Sequence, residues 1–181
     1  MSPFYTRKGD DGRTGLLGEG RLPKYHPRID ALGTLDEASA ALGVARALCQ
    51  TSQGKAILLE VQRDLYKVMS EVAASPENAE RFQNIDLSRL HWLESRIDDL
   101  SMAVHLPTEF ILPGDSLPGA AMAFARTIVR NSERRVAELL DKGEIKNPIL
   151  LHYLNRLSSL CFALELLENQ SAGQETTLAK K

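Results

Sequence analysis

Apolar residues recur along most of this chain at three- and four-residue spacing, the signature of helices that bury one face. From about Gln53 to Ala74, Leu58, Val61, Leu65, Val68, Met69 and Val72 fall on a single stripe. From about Leu87 to Val104 the stripe is Leu90, Leu93, Ile97 and Leu100, with Asp86 or Ser88 placed to cap its start. From about Asp30 to Cys49 small residues dominate (Ala38, Ala40, Ala41, Gly43, Ala45), which lets a neighbouring helix come close. A fourth helix is expected from about Gly119 to Lys142, stopped by Gly143. A fifth takes Pro148 in its first turn and runs to about Asn169. Strand-like alternation is nearly absent and no internal repeat is visible. Five helices joined by modest loops predict an all-α bundle.

Two stretches break the helical texture. Residues 1–28 carry Gly9, Gly12, Gly15, Gly18 and Gly20, two prolines and many charges, the composition of a structured loop or an arm. The stretch HLPTEFILPGDSLPGA flanks Phe110-Ile111-Leu112 with prolines and glycines, so it reads as a loop that holds apolar side chains in one place. The last residues, SAGQETTLAKK, read as a disordered tail. The expected organisation is one domain over 1–170, with a loop segment at 1–28, the bundle at 30–170 and a tail at 171–181.

Composition narrows the classes. A chain of 181 residues buries roughly 70% of its unfolded surface without needing a metal or disulfide staple. A net charge of −2 argues against a general nucleic-acid binder. No apolar run approaches the length of a membrane helix, and MSPFYTRKGDDGR lacks a signal or transit pattern. A cytoplasmic location is the expectation, with Cys49 and Cys161 as buried free thiols.

Chemistry concentrates in three places. In Thr6-Arg7-Lys8-Gly9-Asp10-Asp11-Gly12-Arg13-Thr14-Gly15, glycines let successive N–H groups turn toward one anion. Arg7, Lys8, Arg13 and Lys24 add charge, and the Thr6 and Thr14 hydroxyls add donors. The parts suit a polyphosphate, although no Walker A loop or Rossmann fingerprint is present. A solvated arm remains the plain alternative. On the fourth helix Arg126, Arg130 and Arg134 stand at every fourth position with Glu133 beside them. They form either a wet helix face or a row of guanidinium forks for phosphate or carboxylate, with Asp36 and Glu37 as possible partners. On the fifth helix Asn155-Arg156 interrupts an apolar run, and Asn155 either satisfies a buried contact or grips a ligand. No metal site is expected. No histidine has a glutamate three residues before it, as a di-iron bundle needs, and the four histidines are scattered.

Together, TRKGDDGRTGLLGEGRLPK, RIDALGTLDEASAALG, FILPGDS, ARTIVRNSER and YLNRLS resemble the PduO-type ATP:cob(I)alamin adenosyltransferases, in that family's order and spacing from about Tyr5 to Leu167. The resemblance implies a five-helix bundle of ferritin-like or cobalamin adenosyltransferase-like kind, assembled as a homotrimer with active sites between subunits. It implies transfer of the 5′-deoxyadenosyl group of ATP to reduced cobalamin, with Mg²⁺ present and triphosphate released. Thr6, Arg7, Lys8 and Gly9 match the family's ATP loop, and Thr14, Gly15 and Lys24 match further nucleotide contacts. Arg130, Glu133 and Arg134 match its helix-four ATP cluster, and Asn155 its NRLS asparagine. Asp36 and Arg126 match an intersubunit salt bridge. Phe110 matches the aromatic that displaces the lower axial ligand of the corrinoid. Arg130, Phe110 and Asn155 are the residues expected to bear most directly on turnover. A reductase and an adenosylcobalamin-dependent enzyme are the implied protein partners; nucleic acid and membrane are not.

Cob(I)alamin is itself a strong nucleophile, so the absence of a protein nucleophile motif fits this reaction. Departures from the family pattern are Asn131, where a second arginine is usual, Asp115 in place of glycine, Ser159 in place of aspartate, and DEASA in place of DELNS. No role is assigned to Asn131, Asp115 or Ser159. They leave a second reading, a relative that binds ATP or corrinoid as a carrier or sensor without transfer.

Overall fold

The computed structural model describes residues 4–180. Its helices begin where polar side chains can satisfy the first free N–H groups. Helix α1 (Pro27–Leu48) starts with His26 Nδ1 accepting from the Arg28 N–H at 3.2 Å. That is three residues earlier than the apolar periodicity suggests, because Pro27 fits the first helical position. Thr51 caps α2 (Ser52–Ala73), Asp86 caps α3 (Leu87–Ala103) and Ser116 caps α4 (Leu117–Asp141). Helix α5 spans Ile149–Ser171, with Pro148 just outside it. Gly143, at φ 67°, ends α4 in the left-handed conformation that glycine tolerates.

The helices pack in the neighbour order α2, α1, α4, α5, α3. Leu35, Leu42, Leu58, Leu65, Leu93, Met122, Leu139, Leu150 and Leu154 are fully enclosed between them. Asp64 of α2 closes the ring. Its carboxylate accepts the Tyr153 hydroxyl of α5 at 2.9 Å and Arg89 Nε of α3 at 2.9 Å. Burial, and then the Asp64 charge, push the Tyr153 phenol well above its ordinary range, so it stays the donor. Small residues set the α4–α5 approach: a Cβ on Gly119 would stand 2.1 Å from Asn169 Oδ1. Cys49 and Cys161 are free and buried, and burial raises their thiols to about 11 and about 12. Among the described residues no helix is long and apolar enough to cross a membrane.

Outside the bundle, β1 (Arg13–Gly15) pairs antiparallel with β2 (Arg21–Pro23), Thr14 opposite Leu22. Three-residue strands are too short to show alternation, which hid them from the sequence pattern. The hairpin is anchored where the Leu17 N–H donates to Ala73 O at 2.8 Å and the Ser75 N–H donates to Leu17 O at 3.2 Å. Buried Arg28 reinforces the same corner, donating to Ala74 O at 2.8 Å and pairing with Glu144 at 3.0 Å.

The sequence reading leaves 171–181 as a tail; the structure lays its described part back on the α3–α4 loop. Leu112 N–H donates to Thr177 O at 2.9 Å and Ala179 N–H donates to Phe110 O at 2.7 Å. These bonds are main-chain, so a polar composition gives no sign of them. Lys181 lies outside the described residues.

Candidate functional site

Helices α4 and α5 bring four of the sequence-selected residues to one groove. Arg130, Glu133 and Arg134 from α4 face Asn155 from α5 across an opening of about 420 Å³, also lined by His152 and Arg156. The spacing explains the convergence, since residues three and four apart share a helix face. Asn155 is held at both ends of its amide. Its Nδ2 donates to Glu133 Oε1 at 2.9 Å, and its Oδ1 accepts from Arg156 Nη1 at 2.7 Å. Arg156 Nε in turn donates to Glu94 of α3 at 3.1 Å. Asn131, at the position where an arginine is usual, accepts from Arg134 Nη2 at 3.4 Å. Three guanidinium groups and one carboxylate line the groove, so its charge is suited to a polyanion.

Arg156 is the residue that sequence selection passed over. Its signal was its place beside Asn155 in an apolar run, but only the fold shows that it braces the amide. Arg126 does not join Arg130 and Arg134. About one turn before Arg130 on α4, it lines a separate opening of about 470 Å³ with Phe110, Ile111 and Phe162. Phe110 is 87% exposed there. Glu165 of α5, within electrostatic reach of Arg126 and Asp115, is buried, and its Oε1 has no hydrogen-bond partner. Burial raises its carboxyl to about 7, against the opposing pull of Arg126 and with added push from Asp115. Asp36 is exposed on α1, and Arg126 has a buried Nε without a hydrogen-bond partner.

The N-terminal loop forms a third region. Arg21 fastens it: the guanidinium grips both Asp11 oxygens at 2.8 Å and donates to Lys8 O at 2.5 Å and Arg13 O at 3.1 Å. This grip holds the Asp11 carboxyl below its usual range. Arg21 and Asp11 were legible as charges but not as fasteners. The fastened loop puts Arg7 at φ 60°, an uncommon conformation for a side-chain-bearing residue, with its guanidinium 5.4 Å from the Tyr5 ring centroid. Lys24 closes over Gly9, its Nζ 3.1 Å from where a Cβ would stand. Thr6, Arg7 and Lys8 are exposed on this loop, and Thr14 and Gly15 lie in β1. Lys24 lines an opening with Asp11, Gly12, Arg13 and Tyr25.

Comparison with known proteins gives the same direction throughout. The family model described as cobalamin adenosyltransferase matches residues 4–168. The chain is 36% identical over 178 residues to the corrinoid adenosyltransferase PduO of Citrobacter freundii, covering 98% of this chain and 53% of that protein. It thus spans about half the length of the first such relatives. It is also 36% identical to the corrinoid adenosyltransferase of Bacillus subtilis, covering 94% of this chain and 88% of that protein. A variant of the PduO-type ATP:corrinoid adenosyltransferase from Lactobacillus reuteri, solved with cobalamin and ATP, superposes with a TM-score of 0.88. That comparison is at 32% identity and covers 98% of this chain and 97% of the other.

Proposed function

The chain belongs to the cobalamin adenosyltransferase family, and we propose that it transfers the 5′-deoxyadenosyl group of ATP to cob(I)alamin. Co(I) supplies the electron pair that forms the cobalt–carbon bond at the ribose 5′ carbon. The C5′–O bond breaks, and its electrons leave with triphosphate. The observation that carries this reading is the cationic α4–α5 groove, in which Asn155 is held between Glu133 and Arg156.

Arg130 and Arg134 stabilise the charge that grows on the departing triphosphate, and their fixed helical positions limit reorganisation during the step. Asn155 orients the nucleotide. Thr6, Arg7, Lys8, Gly9, Thr14, Gly15 and Lys24 hold the phosphate end from the N-terminal loop. No group of three or more His, Cys, Asp or Glu side chains converges as a metal cage among the described residues. Mg²⁺ would be held mainly by the substrate phosphates, with the Glu133 carboxylate available in the groove, and would add positive charge at the leaving group. Phe110 presents an apolar face that excludes water and the lower axial ligand from the corrinoid, which eases reduction to Co(I).

The complete site is composite. The groove and the N-terminal loop line separate openings in one subunit, and a homotrimer brings a loop and a groove from different copies together. In that assembly the exposed Asp36 of one copy pairs with the incompletely bonded Arg126 of another. We place the reaction in the cytoplasm, where a reductase supplies Co(I) and an adenosylcobalamin-dependent enzyme takes the product.

Asn131 favours a second reading, a carrier or sensor, because it removes a charge usual beside Arg130. Its bond to Arg134 keeps the position in service of the groove and supports the enzyme reading. Phosphate analysis separates them. The enzyme releases intact triphosphate only when reduced corrinoid is present. ATP and corrinoid binding with no triphosphate release would instead establish the carrier, and Asn131→Arg would then be expected to restore release.

A further inference from the structure

We propose that Asp115 is a positioning residue that latches the C-terminal segment across the Phe110 loop and so fixes the loop against the corrinoid. Its two carboxylate oxygens hold one residue of the tail: Oδ1 accepts from Thr177 Oγ1 at 2.6 Å and Oδ2 accepts from the Thr177 N–H at 3.0 Å. Thr177 O then accepts from Leu112 N–H at 2.9 Å, and Phe110 O accepts from Ala179 N–H at 2.7 Å. Ile111 and Leu178 are the bridged pair between these bonds. Among the described residues, the backbone bonds between strap and loop fall on Phe110 and Leu112, the residues before and after Ile111.

A single bridge of this length is marginal in water. Hydrogen bonds to an ionised carboxylate are roughly twice as strong as neutral ones, and a two-point grip also fixes orientation. Asp115 thus supplies the strongest hold at the junction. It does so from within the loop itself, two residues before the α4 start at Leu117. The strap also walls an opening of about 490 Å³ lined by His105, Thr108, Gln170, Glu175 and Leu178, so its release would remove one side of that opening. Phe110 keeps its ring exposed while its carbonyl is tied down, which is the arrangement a fixed wedge requires.

This inference rests on the proposed transfer reaction, and its test separates the two. Asp115→Ala and Thr177→Val are compared with the unaltered protein in two assays, one begun from Co(II) corrinoid with a reductant and one from pre-reduced Co(I). Both variants should lose about tenfold or more from Co(II), as small misplacements of positioned groups do, and less than about twofold from Co(I). The visible spectrum of Co(II) corrinoid bound with ATP should show less of the four-coordinate form. Independently of turnover, amide exchange should quicken at Leu112, Thr177 and Ala179 but not within α4 and α5. Equal losses in both assays, no loss in either, or unchanged exchange at those three amides would overturn the latch. If the unaltered protein forms no product from Co(I), the reaction itself fails and the latch's role in it fails too.

Discussion

Asn155 and Glu133 lock across the α4–α5 groove, the amide Nδ2 of one donating to the carboxylate Oε1 of the other at 2.9 Å. The bond does two things. It fixes which end of the amide faces which way, and it places a carboxylate among cations without cancelling them. Arg156 completes the arrangement by donating to Asn155 Oδ1 at 2.7 Å.

Asn155→Ala should therefore weaken ATP binding more than its own contact is worth, because Glu133 and Arg156 both lose a partner. A double-mutant cycle with Glu133→Ala, read from ATP titrations, should give a coupling of about 1 kcal/mol. Additive effects would mean that the two side chains act separately.

Arg130→Ala should cost about 3 kcal/mol of transition-state stabilisation, roughly a hundredfold in rate, as loss of other preorganised charge donors does. Steady-state kinetics with ATP varied and Co(I) saturating would show this chiefly in kcat. Unchanged kinetics would remove Arg130 from the site.

Much of this was legible in the sequence. The apolar stripes gave five helices in the right places, and the fourfold spacing put Arg130 and Arg134 on one face. Three features were not legible, for distinct physical reasons. Arg126 shares that spacing, yet about one turn before Arg130 it already lines a different opening, beside Phe110. Arg156 acts by bracing a neighbour, a role that depends on Glu94 from α3, 62 residues away. The C-terminal strap pairs with the loop at Phe110 and Leu112 through main-chain bonds, which composition does not encode. Asp115 was visible as a departure from the family pattern, but its partner Thr177 was visible only once the chain was folded.

Phe110→Ala should impair turnover from Co(II) corrinoid far more than from pre-reduced Co(I), by at least about tenfold in the ratio of the two rates. In the proposed wedge role, Phe110 matters for reaching Co(I), not for the attack that follows. Equal losses from both starting states would count against that role.

Glu165 should make stability depend on pH. Its folded carboxyl sits at about 7 against an ordinary 4.5, so the native state holds a proton that the unfolded chain releases. Its contribution is then full below about 4.5, declines as pH rises and is lost above about 7. Urea unfolding of Glu165→Gln and of the unaltered protein across that window should show the glutamine variant gaining relative stability as pH rises. A constant difference between them would show that burial does not control this carboxyl.

The most direct measurement is product formation from the purified chain with ATP, Mg²⁺ and chemically reduced cobalamin. Adenosyl transfer predicts a light-sensitive cobalt–carbon product, followed by its visible spectrum, with one triphosphate released for each corrinoid converted. A corrinoid spectrum unchanged over the incubation, with ATP intact, would contradict it.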